Sequence, residues 1–245
     1  MAFTHGSKAK IYGNGYNLST YLRNIQVPFT VDTAETSTFG NLFKTYTPGL
    51  TDGSLSLDGI YDGATSAVDE IFNNALSSTT NDQFTVLVQG DGYGTFGFGF
   101  DSVTTNYQVT AGIGDVAQVT LQAQNNMGKE RGVTIHPLTQ ETVDYAGNTQ
   151  DVDLTTASTT TGWSAYLHIT QAAATMTSVS IEDSADSTTF APLTGGSFTT
   201  LTANSSQRLV SATGATVRRY VQVAYNLTTS ATFHVLFCRG TNPVS

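Results

Sequence analysis

The apolar positions change period along the chain, and each change predicts an element. Residues 9–33, "AKIYGNGYNLSTYLRNIQVPFTVDT", hold short apolar runs broken by Gly13-Asn14-Gly15, the pattern of two strands joined by a turn. In "GSLSLDGIYD" Leu55 and Leu57 fall on one face of a strand and Ser54, Ser56 and Asp58 on the other. The period then lengthens. In "ATSAVDEIFNNALSS" Val68, Ile71, Phe72, Ala75 and Leu76 form one apolar stripe, which predicts a helix over 65–77 with Val68, Ile71, Phe72 and Leu76 facing a core. Ser66 and Asp69 stand at capping-box spacing at its start.

Period two returns in "QFTVLVQG", "TFGFGFDSVTTNYQV" and "DVAQVTLQAQNN", giving the order β-β-β-α-β-β-β. Residues 138–162 carry only scattered apolar side chains and read as a linker with a first edge strand. From Trp163 onward six alternating runs follow, with turn signals at about ten-residue intervals, the spacing of a small sandwich or jelly roll. The predicted fold class is mainly β. A barrel or sandwich with one helix spans 1–137, a linker 138–162, and an all-β sandwich 163–245. The two halves show no tandem repeat.

One segment invites a chemical reading. In "GDGYGTFGFGF" the run Gly92-Tyr93-Gly94-Thr95-Phe96-Gly97 has the G-x-G-x-x-G spacing of a dinucleotide cradle. That cradle needs a helix opening on its third glycine, and here Phe96, Phe98 and Phe100 alternate with glycines at strand period. The expectation is a turn entering a strand. The three phenylalanines pack on one face, and Gly97 and Gly99 leave the other bare for a close neighbour such as another subunit. His5, His136, His168 and His234 show no metal-ligand spacing, and His168 is expected on the exposed face of a strand. There is no G-x-S-x-G elbow, and the acid pairs Asp69-Glu70 and Glu182-Asp183 are neighbours in sequence rather than a facing pair. The expectation is a protein that is not an enzyme, with no cofactor and no metal.

Charge sharpens this. Only 12% of the 245 residues are charged, against 39% hydrophobic, as in a subunit whose surface is largely covered by copies of itself. The net charge of −9 and the absence of any basic cluster beyond Arg218-Arg219 argue against tight nucleic-acid binding. The single Cys238 excludes an intrachain disulfide. No early apolar run resembles a signal peptide, and no apolar run is long enough for a membrane-spanning helix, so membrane insertion is not expected.

Residues 32–59, "DTAETSTFGNLFKTYTPGLTDGSLSLDG", carry aromatics on a stretch with little secondary-structure signal. Long loops of this kind are usually functional, and exposed aromatics are costly. Either it folds over its own core or Thr36, Phe39, Phe43, Tyr46, Pro48 and Leu50 dock on a neighbouring subunit.

The run from Val31 to Leu76, with its F-G…Y-x-P-G-L-x-D-G phrase and the order of strands and helix around it, resembles the tail tube proteins of long-tailed bacteriophages over roughly residues 5–136. "IEDSADSTTF" and "RRYVQVAY" look like the Ig-like or jelly-roll modules appended to virion proteins, a look that carbohydrate-binding modules share. The resemblance implies a virion structural protein, assembled in the host cytoplasm. It implies hexameric rings stacked into a tube, with the long loop reaching an adjacent ring and other tail proteins as partners. DNA would pass through an acidic channel without specific binding. The alternatives are a capsid decoration protein, a neck or head-completion protein, or an adhesin whose Trp163, Tyr166 and Tyr225 contact host-surface glycans. The polar linker implies that the second half is dispensable for assembly.

Overall fold

The structure, a computed structural model, describes residues 6–40, 42–147, 149–172 and 176–240; His5 lies outside them. A short 3-10 turn at Gly6–Lys8 leads into β1 (Lys10–Gly13), β2 (Tyr16–Asn17), β3 (Leu22–Gln26), β4 (Phe29–Glu35) and β5 (Tyr46–Ile60). The helix α1 (Val68–Ser77) follows, then β6 (Asp82–Leu87), β7 (Phe96–Thr110), β8 (Gln118–Asn125), β9 (Glu130–Glu141) and β10 (Val152–Asp153). The remaining strands are β11 (Trp163–Ala172), β12 (Met176–Ser184), β13 (Ala191–Phe198), β14 (Ser205–Val210), β15 (Tyr220–Leu227) and β16 (Ala231–Arg239). The chain is mainly β, and α1 is the one α-helix among the described residues.

The long strand β7 organises the first half. It pairs in turn with β9 at Phe96–Gly99, with β6 at Phe98–Ser102 and with β8 at Ser102–Thr110. Through these pairings the strands run β2-β1-β6-β7-β8-β5-β3 around a nearly closed barrel. Its interior holds Leu55, Leu57, Phe84, Phe100 and Leu121, the inward members of alternating strands. The helix closes this core with Val68, Ile71, Phe72 and Ala75.

The same sheet continues past β9 into β16, β11 and β14. A second sheet, β10-β15-β12-β13, packs on it and encloses Trp163, Ile181, Val223, Phe233 and Phe237. This is the expected sandwich, but its first sheet is shared with the barrel. Leu138–Glu141, read as the start of a linker, is the end of β9 and pairs with β16. A third apolar cluster of Tyr12, Leu87, Tyr166, Leu236 and Cys238 lies where the two halves meet.

Several details differ from the expectations. The helix starts at Val68, because Ser66 sits at a φ of 61°, outside helical space. Its cap is not the Ser66–Asp69 box: the Glu70 carboxylate accepts the Ser66 N–H at 2.6 Å. Asp69 instead accepts the phenolic hydrogens of Tyr61 and Tyr107. Leu76 lies at the edge of the stripe and is 42% exposed. His168 is fully buried, not exposed, because residues of the first half lie over its face of β11: the Tyr12 ring of β1 packs beside it, and its Nε2 is 2.9 Å from the Thr85 hydroxyl of β6.

Candidate functional site

The segment read as a long loop is a β-hairpin. β4 pairs with the first half of β5 from Phe29↔Gly53 to Glu35↔Tyr46, with an irregularity between Val31 and Thr33. Beyond the paired region the Thr36 N–H donates to the Thr45 carbonyl at 2.8 Å, and the Thr45 N–H to the Ser37 hydroxyl at 3.0 Å. Lys44 bridges to Glu35 at 3.0 Å across the ribbon. This ladder makes the segment an ordered arm.

The arm leaves the body of the protein. Residues 46–52 of β5 are exposed on both faces, and alternating burial begins only at Gly53, where β5 enters the barrel and meets β8. Along β4 every residue after Phe29 is exposed. Phe39 and Leu42 at the tip are almost entirely exposed, Phe43 is 83% and Leu50 80% exposed, and Tyr46 and Val31 are about half exposed. Thr36 and Pro48 lie on the same ribbon and are also exposed. The structure therefore brings the six predicted loop residues together on one arm. None of them folds back over the core.

Two unpaired ribbon edges and a cluster of exposed aromatics are unusual for an isolated chain. A two-stranded ribbon is marginally stable alone, unpaired edges recruit other strands, and contiguous exposed apolar surface marks a contact site.

A second apolar feature was missed by the sequence reading. The turn between β7 and β8 exposes Ile113 fully, with Val116 and Val109 beside it. The β5–β8 register runs from Ser54↔Gln124 to Ile60↔Gln118. The arm therefore projects from one end of this strand pair and the Ile113 turn from the other. The signal was present in "VTAGIGDVAQ", where two apolar residues flank a Gly-Asp turn, but periodicity does not tell an exposed turn from a buried one.

The other candidates fall elsewhere. In the glycine segment the strand begins at Phe96, as its period predicts. Phe100 is buried in the barrel, Phe98 is half-buried, and Phe96 at the strand's start is 48% exposed. The Gly97 and Gly99 face is crowded from within the chain. A Cβ on Gly97 would strike Leu87 and one on Gly99 the Tyr166 ring. Their neighbours thus belong to this chain rather than to another subunit, Leu87 of β6 for Gly97 and Tyr166 of β11 for Gly99. Trp163, Tyr166 and Tyr225 are core residues with no exposed ring face. Burial pushes the His168 imidazole down to about 3 and His234 well below its usual value. Among the described residues no cluster of His, Cys, Asp and Glu could hold a metal ion, and no helix is long and apolar enough to cross a membrane.

Comparison with solved structures returns components of viruses and related particles. A chain from the virion of a native gene transfer agent particle matches 52% of this chain and 97% of its own length, at 14% identity and a TM-score of 0.43. A chain of the anti-feeding prophage baseplate, 6-fold symmetrised, matches 54% and 97%, at 13% identity and a TM-score of 0.41. The SPP1 Dit protein, described as a paradigm of hub adsorption apparatus in phages that infect Gram-positive bacteria, matches 94% and 98%, at 14% identity and a TM-score of 0.38. No protein-family profile and no curated protein sequence matches the chain.

Proposed function

We propose that the chain is a structural protein of a phage tail that assembles with copies of itself into rings, the arm of each copy packing on the next. The arm carries this reading: a hydrogen-bonded ribbon bearing Phe39, Leu42, Phe43, Tyr46 and Leu50, none of them covered by its own chain. The arm and the Ile113 turn lie at opposite ends of the β5–β8 pair, which favours head-to-tail contact between unlike surfaces. Such contacts close into rings when the rotation closes, and stack when the ring faces are complementary.

In the full form of the proposal, rings of six stack into the tail tube, the conduit for DNA in ejection, inside the virion. The net charge of −9 lets DNA slide without sticking. Sparse charge suits surfaces that become interfaces. The arm, the turn and the helix stripe have assembly and packing roles, with no catalytic residue among them.

The test replaces two arm-tip aromatics, in the variant Phe39→Ser with Phe43→Ser. Neither ring supports the core, so the unfolding free energy is expected to stay within about 0.5 kcal/mol of wild type. Light scattering coupled to size exclusion is expected to show assembled wild type and monomeric variant. Equal masses for the two proteins would refute the arm's role.

A further inference from the structure

A cleft of about 560 Å3 opens where β7, β9 and β16 meet the segment that follows β10. Phe96 and Gly94 reach it from the glycine segment, Arg131 from β9, Arg239 from β16, and Thr156 and Thr161 from the segment after β10. It lies far along the chain from the arm and involves none of its residues.

Its charge is opposite to that of the molecule. Asp153, the acid in its wall, is consumed by Arg219 through contacts of 2.7 and 2.8 Å. Asp183, the nearby acid that acts electrostatically on Arg239, is likewise held by Arg218 at 2.8 and 2.5 Å. Arg239 donates only to neutral acceptors: the Thr159 hydroxyl at 2.9 Å and the carbonyls of Thr156, Ala157 and Val217. Arg131 is exposed and has no ion-pair or hydrogen-bond partner through its side chain among the described residues. Its guanidinium lies over the half-exposed Phe96 ring, 4.1 Å from the centroid. The ring holds the guanidinium in place without using its N–H donors. Two arginines uncompensated by carboxylates thus share one cleft in a chain of net charge −9.

The rest of the lining narrows the ligand. The hydroxyls of Thr156 and Thr161 have no hydrogen-bond partner among the described residues, and Phe96 offers an apolar face beside them. An extended peptide would need a free strand edge of useful length; at the cleft β9 and β16 pair with each other through Val133↔Phe237, and the open edge of β10 is only two residues long. A nucleic acid would need a longer basic track.

We propose that this cleft binds an acidic saccharide. Arg131 takes the carboxylate, the threonine hydroxyls meet the sugar hydroxyls, and Phe96 packs on the apolar face of a sugar ring. This does not depend on ring assembly, and it sets Phe96, not the buried Trp163, Tyr166 or Tyr225, as the aromatic that a glycan touches.

The test is isothermal titration of the full chain with trigalacturonate, with neutral galactotriose and with inorganic phosphate. Saturable binding of trigalacturonate is expected, weakened by added salt. Arg131→Gln and Phe96→Ala are each expected to weaken it by about tenfold or more, and Arg131→Gln, at an exposed side chain, is expected to leave the unfolding midpoint unchanged. Galactotriose and phosphate are each expected to bind at least about tenfold more weakly than trigalacturonate. No saturable binding of trigalacturonate, or unchanged affinity in Arg131→Gln, would overturn the proposal. Equal binding of galactotriose would remove the role of charge, and equal binding of phosphate would leave a bare anion site; either result also overturns it.

Discussion

Gly99 has no room for a side chain, because the Tyr166 ring lies against its α-carbon. Gly99→Ala is therefore expected to cost about 1–3 kcal/mol, since the buried ring must shift within a packed junction. Gly40→Ala on the arm has open space around it and is expected to change stability by no more than about 0.5 kcal/mol. Urea titrations of the two variants check this. The sequence showed the strand period of this segment and the bareness of the glycine face, but not what fills that face, because Tyr166 is distant in sequence. The same holds for His168. Alternation places it opposite Leu167 and Ile169, and only the tertiary fold reveals that this second face is also covered.

His168 and His234 also set a pH dependence. Each is buried and neutral, with its folded-state pKa below the unfolded value near 6.5, and the facing titratable groups Tyr12 and His136 supply no negative charge that would favour protonation. Below pH 6.5 the unfolded chain takes up protons that the folded chain refuses. The stabilisation is thus complete above that pH and is lost as pH falls toward about 3 for His168. Each histidine is expected to add a slope approaching about 1.4 kcal/mol per pH unit. Denaturant titrations at steps between pH 6.5 and 5, above the ordinary carboxylate range, measure it. A variant with both residues changed to Asn is expected to lose most of that slope.

At the scale of elements, the helix and most strands were legible because each buries one face. The stripe Val68-Ile71-Phe72-Ala75 and the pair Leu55-Leu57 state their periods plainly. The arm was illegible as strand for the opposite reason. Both its faces are in solvent, so residues 46–52 carry no alternation, and Pro48 and Gly49 read as breakers. Pro48 is tolerated because the ribbon has unpaired edges on which no N–H is required. What the sequence did carry was the density of aromatics, which marks the arm as a contact element whatever its backbone does. The Phe39→Ser, Phe43→Ser variant separates those two aspects: the ladder from Phe29↔Gly53 to Glu35↔Tyr46 stays while the apolar tip is lost.

At the scale of the whole molecule, the two halves share a sheet. β9 joins β7 on one edge to β16 on the other, and Arg208 of β14 pairs with the buried Glu130 of β9 at 2.5 Å, with the Tyr166 hydroxyl donating to the same carboxylate. A chain ending at Leu138 would uncover Tyr12 and Leu87 and leave Glu130 without its arginine. It is expected to bind hydrophobic dye and to aggregate, as read by fluorescence and size exclusion. A monodisperse, cooperatively unfolding fragment would show that the barrel stands alone. The polar composition of residues 138–162 pointed to separable halves, because sequence cannot show β9 and β16 meeting across almost a hundred residues. The central claim, assembly into rings through the arm, is tested most directly by electron microscopy of the purified full-length chain. Closed six-fold rings, stacked or single, with the arm of each copy lying on its neighbour are the predicted result. A field of monomers, or an assembly in which the arm touches no other copy, would contradict it.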